Sequence, residues 1–258
     1  MPKKCAFCTR PAESREHIFS EWMLDMIPVG ERFTFNERNP KTGEYFRYGG
    51  RKVNLKAKAV CTPCNNGWMS DMENDVAKPA MARLLFNEHP TVLDVKALTG
   101  IAVFAFKTLV LASHKDSTTP PFFPFADRDR FRRNLVIPNG VQVWIATRKA
   151  LPGKYYGFWK SVKGTSDQPS RYGFSSYICT WNFQNLVLQI LARKWNDKRR
   201  RRTIPMGAIV QNDYWNDAAI PIWPLKGKGL QWPPPAYLGE ESFFPFRDRF
   251  DRFEVSFL

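Results

Sequence analysis

A chain of 258 residues, 43% of them hydrophobic, has room for one large domain or two modest ones around a real core. Its formal net charge of +15 favours a polyanionic partner, nucleic acid first. A membrane surface is the competitor, but no basic amphipathic helix or lipidation signal supports one.

In chain order, a strand is expected around Glu16–Phe19, then a short helix over Glu21–Ile27, capped by Ser20 and stopped by Pro28. Asn39–Gly43 reads as a turn between two short strands, and Val53–Val60 as a further strand. A helix starting just after Cys64 carries Trp68, Met69 and Met72 on one side, is kinked or divided at Pro79, and resumes through Leu85. Gly67 is expected to allow close packing there, and Trp68 to supply core.

Asn87–Pro90 is the expected boundary between domains 1–89 and 90–258. Asp94 then caps an apolar helix over Val95–Ser113, whose unbroken apolar stretch is too short for a membrane span and reads as a buried core helix. Strands follow at Val141–Ile145 and Tyr155–Val162, with a hairpin formed by Tyr172–Trp181 and Leu186–Arg193. Pro221–Pro224 and Trp232–Pro235 mark an irregular, proline-locked tail. Phe122–Phe131 and Phe243–Phe250 share a pattern of an extended aromatic segment leading into a short charged helix.

Four of the five cysteines form two C-x-x-C pairs, Cys5/Cys8 and Cys61/Cys64, which is the arithmetic of a metal site. Each such turn presents two thiolates at a separation suited to tetrahedral zinc, and two turns fill the shell, so the zinc is structural. It closes a loop of roughly fifty residues. An odd cysteine, Cys179, argues against a secreted disulfide scaffold and reads as core. With no apolar segment after Met1-Pro2-Lys3-Lys4, we expect no signal peptide and a cytoplasmic setting.

Between the pairs stand Glu16 and His17, and Asn65 follows the last cysteine. Neighbours on a strand point to opposite faces, so Glu16 and His17 take different jobs unless the chain bends. The order C-x-x-C, acidic residue and His, C-x-x-C-Asn resembles the HNH endonucleases, the ββα-metal or His-Me finger group, over roughly residues 1–75. The resemblance implies an N-terminal zinc-stabilised ββα-metal domain; with the mixed, strand-rich C-terminal domain and its one long buried helix read from their patterning, an α+β chain is expected. The resemblance also implies that Glu16 and Asn65 hold one divalent cation, Mg²⁺ or Mn²⁺, while His17 takes a proton from the attacking water. The middle Asn of the motif falls on Asn54, with Asn39 second. Glu16 stands where Asp is commoner, and Ser20 where Pro often follows. Asp71 and Glu73 could extend the metal shell or complement the helix dipole. His89 and His114 read as surface or satisfied histidines.

For nucleic-acid binding, DNA favoured over RNA, the densest basic run is Lys198, Arg199, Arg200, Arg201 and Arg202, preceded by Arg193 and Lys194. Lys52, Lys56 and Lys58 lie near the expected site. Arg128, Arg130, Arg132 and Arg133 are interleaved with Asp127 and Asp129. The alternative function is a non-catalytic zinc-ribbon nucleic-acid-binding protein. Oligomeric state is not legible.

Overall fold

A computed structural model describes residues 3–26, 33–38, 45–50, 56–86, 89–115, 121–149, 156–164, 174–195, 217–225, 227 and 229–249. The fold is α+β. Near the N-terminus, strand β1 (Ser14–His17) pairs antiparallel with β4 (Lys56–Val60). Their register faces Arg15 with Lys58, Glu16 with Ala57 and His17 with Lys56, and leaves Ala59 unpaired. Directly opposed residues share a face. Ala57 is buried while Lys56 and Lys58 are exposed, so Glu16 turns inward and Arg15 and His17 turn outward.

Helix α1 (Glu21–Asp25) is shorter than expected, and the Ser20 side chain makes no capping hydrogen bond. Ser20 is buried, and its backbone carbonyl takes the Met23 N–H at 3.0 Å instead. Strands β2 (Phe33–Arg38) and β3 (Tyr45–Gly50) pair antiparallel, as expected of a hairpin, and the turn residues 39–43 lie outside the described residues.

A helical run follows: α2 (Thr62–Cys64), a π-helical turn (Asn65–Met69), α3 (Ser70–Met72), a second π-helical turn (Glu73–Ala77) and α4 (Lys78–Phe86). The kink falls at Gly67, whose torsions (φ −100°, ψ −118°) leave the helical region, and not at Pro79. A Cβ at Gly67 would meet nothing within 4 Å, so the glycine serves the bend and not close packing. Pro79 lacks the N–H that would bond the Asp75 carbonyl, and the wide turn immediately before it accommodates that loss.

Strand β5 (Thr91–Asp94) leads into α5 (Val95–Lys115), which Asp94 caps by accepting the Ala97 N–H at 2.8 Å. The whole helix is long and apolar enough to cross a bilayer, but 78% of its apolar window is buried inside the protein. Ile101 to Ala112 form an unbroken buried stretch that includes Phe104, Phe106 and Leu109, and each such large side chain contributes about 1.5–3 kcal/mol on burial. At Gly100 the helix crosses the Glu73–Ala77 turn so closely that a Cβ would lie 2.5 Å from Val76 Cγ1. Lys107 follows Gly100 by seven residues and so shares its face of the helix.

Beyond α6 (Phe125–Asn134), an antiparallel sheet runs in the order β10-β6-β9-β8-β7. Its strands are β6 (Val141–Thr147), β7 (Tyr156–Gly164), β8 (Phe174–Phe183), β9 (Leu186–Trp195) and β10 (Ala219–Trp223). Alternation divides the sheet: Val143, Ile145, Cys179, Trp181, Leu188 and Ile190 join the core that contains α5. Ala146, Val187 and Ala219 pack instead on Phe243 and Phe246 of α7 (Glu240–Asp248). The main core takes residues from Cys5 to Trp232 and runs across the boundary expected near residue 89.

Two expectations change here. The tail carries two strands, β10 and β11 (Gly229–Trp232), the latter paired with β5. Pro221 is tolerated because β10 is an edge strand, with a register shift between Pro221 and Trp223. The two aromatic segments also differ, since Phe122–Pro124 precedes α6 whereas Phe243–Phe246 lies inside α7.

Candidate metal centre and the residues around it

The first cysteine pair is shaped by backbone hydrogen bonds from Cys5 N–H to Arg10 O (2.8 Å) and from Ala6 N–H to Ala59 O (2.7 Å). That second bond ties the first knuckle to β4, which delivers Cys61. Cys61 then precedes α2, and its carbonyl accepts the N–H groups of Cys64 (3.1 Å) and Asn65 (3.0 Å). All four sulfurs lie within 4.8 Å of one another, with Cys8 Sγ 3.5 Å from Cys61 Sγ and 3.7 Å from Cys64 Sγ. A tetrahedron of 2.3 Å metal–sulfur bonds has edges of roughly 3.8 Å, so the cluster is sized to hold a metal ion. None of the four is in a disulfide.

A hydrogen bond from Cys64, helped by the Phe7 N–H at 3.4 Å, pulls the Cys5 thiol down to about 4. The same contact pushes Cys64 up, and burial pushes Cys8 up. Buried Arg128, on α6, braces the first knuckle by donating to the Ala6 carbonyl and, through Nε, to Phe123 O at 3.0 Å. Trp68 stacks edge-on against Phe7 and Phe131, which makes it the core residue expected.

Glu16 and Asn65, expected to share a cation, have other partners in this structure. The Asn65 amide nitrogen donates to Ser14 Oγ at 2.9 Å, which ties the start of the helical run to β1 and leaves Oδ1 on its opposite side. Glu16 Oε1 lies 3.5 Å from Lys107 Nζ, and Lys107 also hydrogen-bonds Glu73. Lys107 is 0% exposed, and both carboxylates are 12% exposed. Burial raises the Glu16 carboxyl above its ordinary value, Lys107 draws it back down, and Glu73 adds to the rise.

This Glu16–Lys107–Glu73 cluster escaped sequence reasoning, which read the helix that carries Lys107 only as an apolar core helix. Glu73 thus has a defined partner inside the protein, whereas Asp71 is exposed. Two unit like charges about 4 Å apart repel by roughly 4 kcal/mol at an effective dielectric near 20, and a divalent ion doubles that. A cation and the ammonium therefore cannot both sit against Glu16. Among the described residues, the four cysteines are the only group of three or more His, Cys, Asp or Glu side chains placed to hold a metal.

On the outward face of the ribbon, His17 stands beside Lys56 and two residues from the Arg15–Lys58 pair. Arg15, Lys56 and Lys58 are exposed and ion-pair with no described residue. Like charges directly opposed on a ladder, as Arg15 and Lys58 are, destabilise the pairing. Other expected contacts are internal. Arg193 is buried and donates to Gln142, with burial pulling its guanidinium down to about 10. Lys194 Nζ donates to Phe122 O at 2.7 Å.

Arg132 and Arg133 pair with Asp129 at 2.9 and 3.0 Å, so with Arg128 buried only Arg130 of that cluster stands exposed and unpaired. His114 is the satisfied histidine expected: Nδ1 donates to Val110 O at 2.8 Å and Nε2 accepts from Arg128 at 3.1 Å. His89 is exposed, and Cys179 is fully buried, its thiol pushed up by burial. Asn39, Lys52, Asn54 and Lys198, Arg199, Arg200, Arg201 and Arg202 lie outside the described residues. A scan against protein-family models finds no match, and searches of curated proteins and of solved structures find none either.

Proposed function

We propose that this chain is a metal-dependent endonuclease of HNH type, built on a structural zinc held by Cys5, Cys8, Cys61 and Cys64. Its substrate is nucleic acid, DNA favoured over RNA, and its setting the cytoplasm, where thiols stay reduced. The observation that supports this best is the β1–β4 register, which sets His17 outward among Arg15, Lys56 and Lys58 and turns Glu16 inward. The three cations draw the phosphate backbone to the end of the ribbon, where His17 closes β1 next to Glu16.

His17 takes a proton from water as its oxygen attacks phosphorus. The bond from phosphorus to the 3′-oxygen breaks with its electron pair on that oxygen, which takes a proton from solvent, and the products carry a 5′-phosphate and a 3′-hydroxyl. Glu16 and the Asn65 Oδ1 would hold Mg²⁺ or Mn²⁺, a hard ion suited to oxygen donors that neutralises the phosphate and the leaving oxygen. Asn65 fits that role, since its nitrogen is engaged by Ser14 and its oxygen is left as the ligand atom. Glu16 fits it once Lys107 is held by Glu73 alone.

Nicked plasmid produced with Mg²⁺ or Mn²⁺ is expected to be resealed by a DNA ligase, which requires a 5′-phosphate and a 3′-hydroxyl. Nicks that no ligase closes contradict the step. The second reading is a non-catalytic zinc-ribbon protein that binds nucleic acid, and the ammonium already set against Glu16 favours it. Salt-dependent binding with no cleavage under any divalent ion selects that reading.

A further inference from the structure

Lys107 lies 91 positions along the chain from Glu16 and 34 from Glu73, yet its ammonium is fully buried between their carboxylates. The two contacts are unequal, a hydrogen bond to Glu73 and a looser 3.5 Å approach to Glu16. The arrangement is built in by the close crossing at Gly100 and Val76, which sets the Glu73 turn against the face of α5 that carries Lys107. Positive charge is thus already delivered to the inward side of β1.

We propose that Lys107 is a positioning residue that stands in for the divalent cation at Glu16, and that cation binding there requires the ammonium to withdraw onto Glu73. This rests on the nuclease reading for the identity of the Glu16 ligand. Glu73 is then the refuge that makes the exchange possible: its carboxylate keeps the ammonium paired after Glu16 is released. A buried ammonium left without either partner would be strongly disfavoured, so removal of Glu73 locks Lys107 onto Glu16.

The test is Mn²⁺ binding to the zinc-loaded protein, read by electron paramagnetic resonance of the ion. Lys107→Met is expected to tighten Mn²⁺ binding by roughly tenfold or more, because a like charge leaves the site. Glu73→Gln is expected to weaken it by a similar factor. In the double variant, Glu73→Gln adds no effect, because its action runs through Lys107. Effects of opposite sign are not what loosened packing produces. Circular dichroism melts establish that each variant is folded, and Glu73→Gln carries the test if Lys107→Met does not fold.

The proposal is overturned if Lys107→Met binds Mn²⁺ no tighter than wild type, if both variants weaken binding alike, or if no variant binds the ion. Plasmid nicking by the wild type separates the two ideas. His17-dependent nicking with unchanged Mn²⁺ affinity in Lys107→Met sinks this inference and leaves the nuclease reading standing. Tightened Mn²⁺ binding with no nicking does the reverse.

Discussion

Two charged centres flank the start of the helical run, and they are built in opposite ways. The four-cysteine centre draws its ligands from two local turns, Cys5–Cys8 and Cys61–Cys64, joined by a short strand pairing. The Glu16–Lys107–Glu73 cluster draws one residue from each of three separate elements, and its charges compensate one another within the protein. The first is placed to hold an added cation, and the second carries its own. Stability should therefore depend on metal supply at the first and on side-chain pairing at the second.

The largest effect expected is at the cysteines. Cys61→Ser should reduce zinc from about one ion per chain to near zero and lower stability by several kcal/mol, since structural zinc contributes apparent binding energies of about 10–16 kcal/mol. Metal analysis with urea unfolding checks this, and a metal-free variant of unchanged stability breaks the contrast at its first arm. Next, Glu73→Ala strands a buried ammonium whose remaining partner is 3.5 Å away. Loss of one member of a buried pair costs about 3–5 kcal/mol, so unfolding should shift by that order while zinc content stays unchanged. A loss below 1 kcal/mol would mean that Lys107 reaches solvent.

A smaller effect sharpens the contrast through pH. Burial, with a lesser contribution from Arg128, holds His114 down to about 4, so the folded protein keeps this ring neutral where the unfolded chain protonates it near 6.5. Between those values the unfolded state binds the extra proton, so stability falls as the pH falls, by on the order of 3 kcal/mol in all. Urea unfolding at pH 7.5 and 4.5 should show a smaller acid loss in His114→Gln than in wild type. Equal losses would assign the acid sensitivity to the thiolates and carboxylates instead.

The two centres also differ in how readable they were. C-x-x-C spacing is local, so ligand identity follows from the residues themselves, and the backbone bonds around Cys61 only refine it. Alternation along β1 likewise separates Glu16 from His17 before any contact is known. The Lys107 cluster depends on where α5 crosses the Glu73–Ala77 turn, which neither periodicity nor composition encodes. Gly100, placed seven residues before Lys107 on the same face, is the one trace of it in the chain. Arg193 and Lys194 misled for a related reason, since net charge does not say which cations a sheet will bury. Pro221 misled because an edge strand tolerates what an inner strand would not.

The central claim is that His17, on the outward face of β1, is the base of a phosphodiester hydrolysis. It is tested most directly by nicking of supercoiled plasmid with Mn²⁺, comparing zinc-loaded wild type with zinc-loaded His17→Ala. Loss of a general base lowers a rate by about 10²–10⁴, so wild type should nick and the variant should fall by at least the lower figure with unchanged zinc and DNA affinity. A wild type that never nicks, or a variant that nicks as fast, contradicts the account.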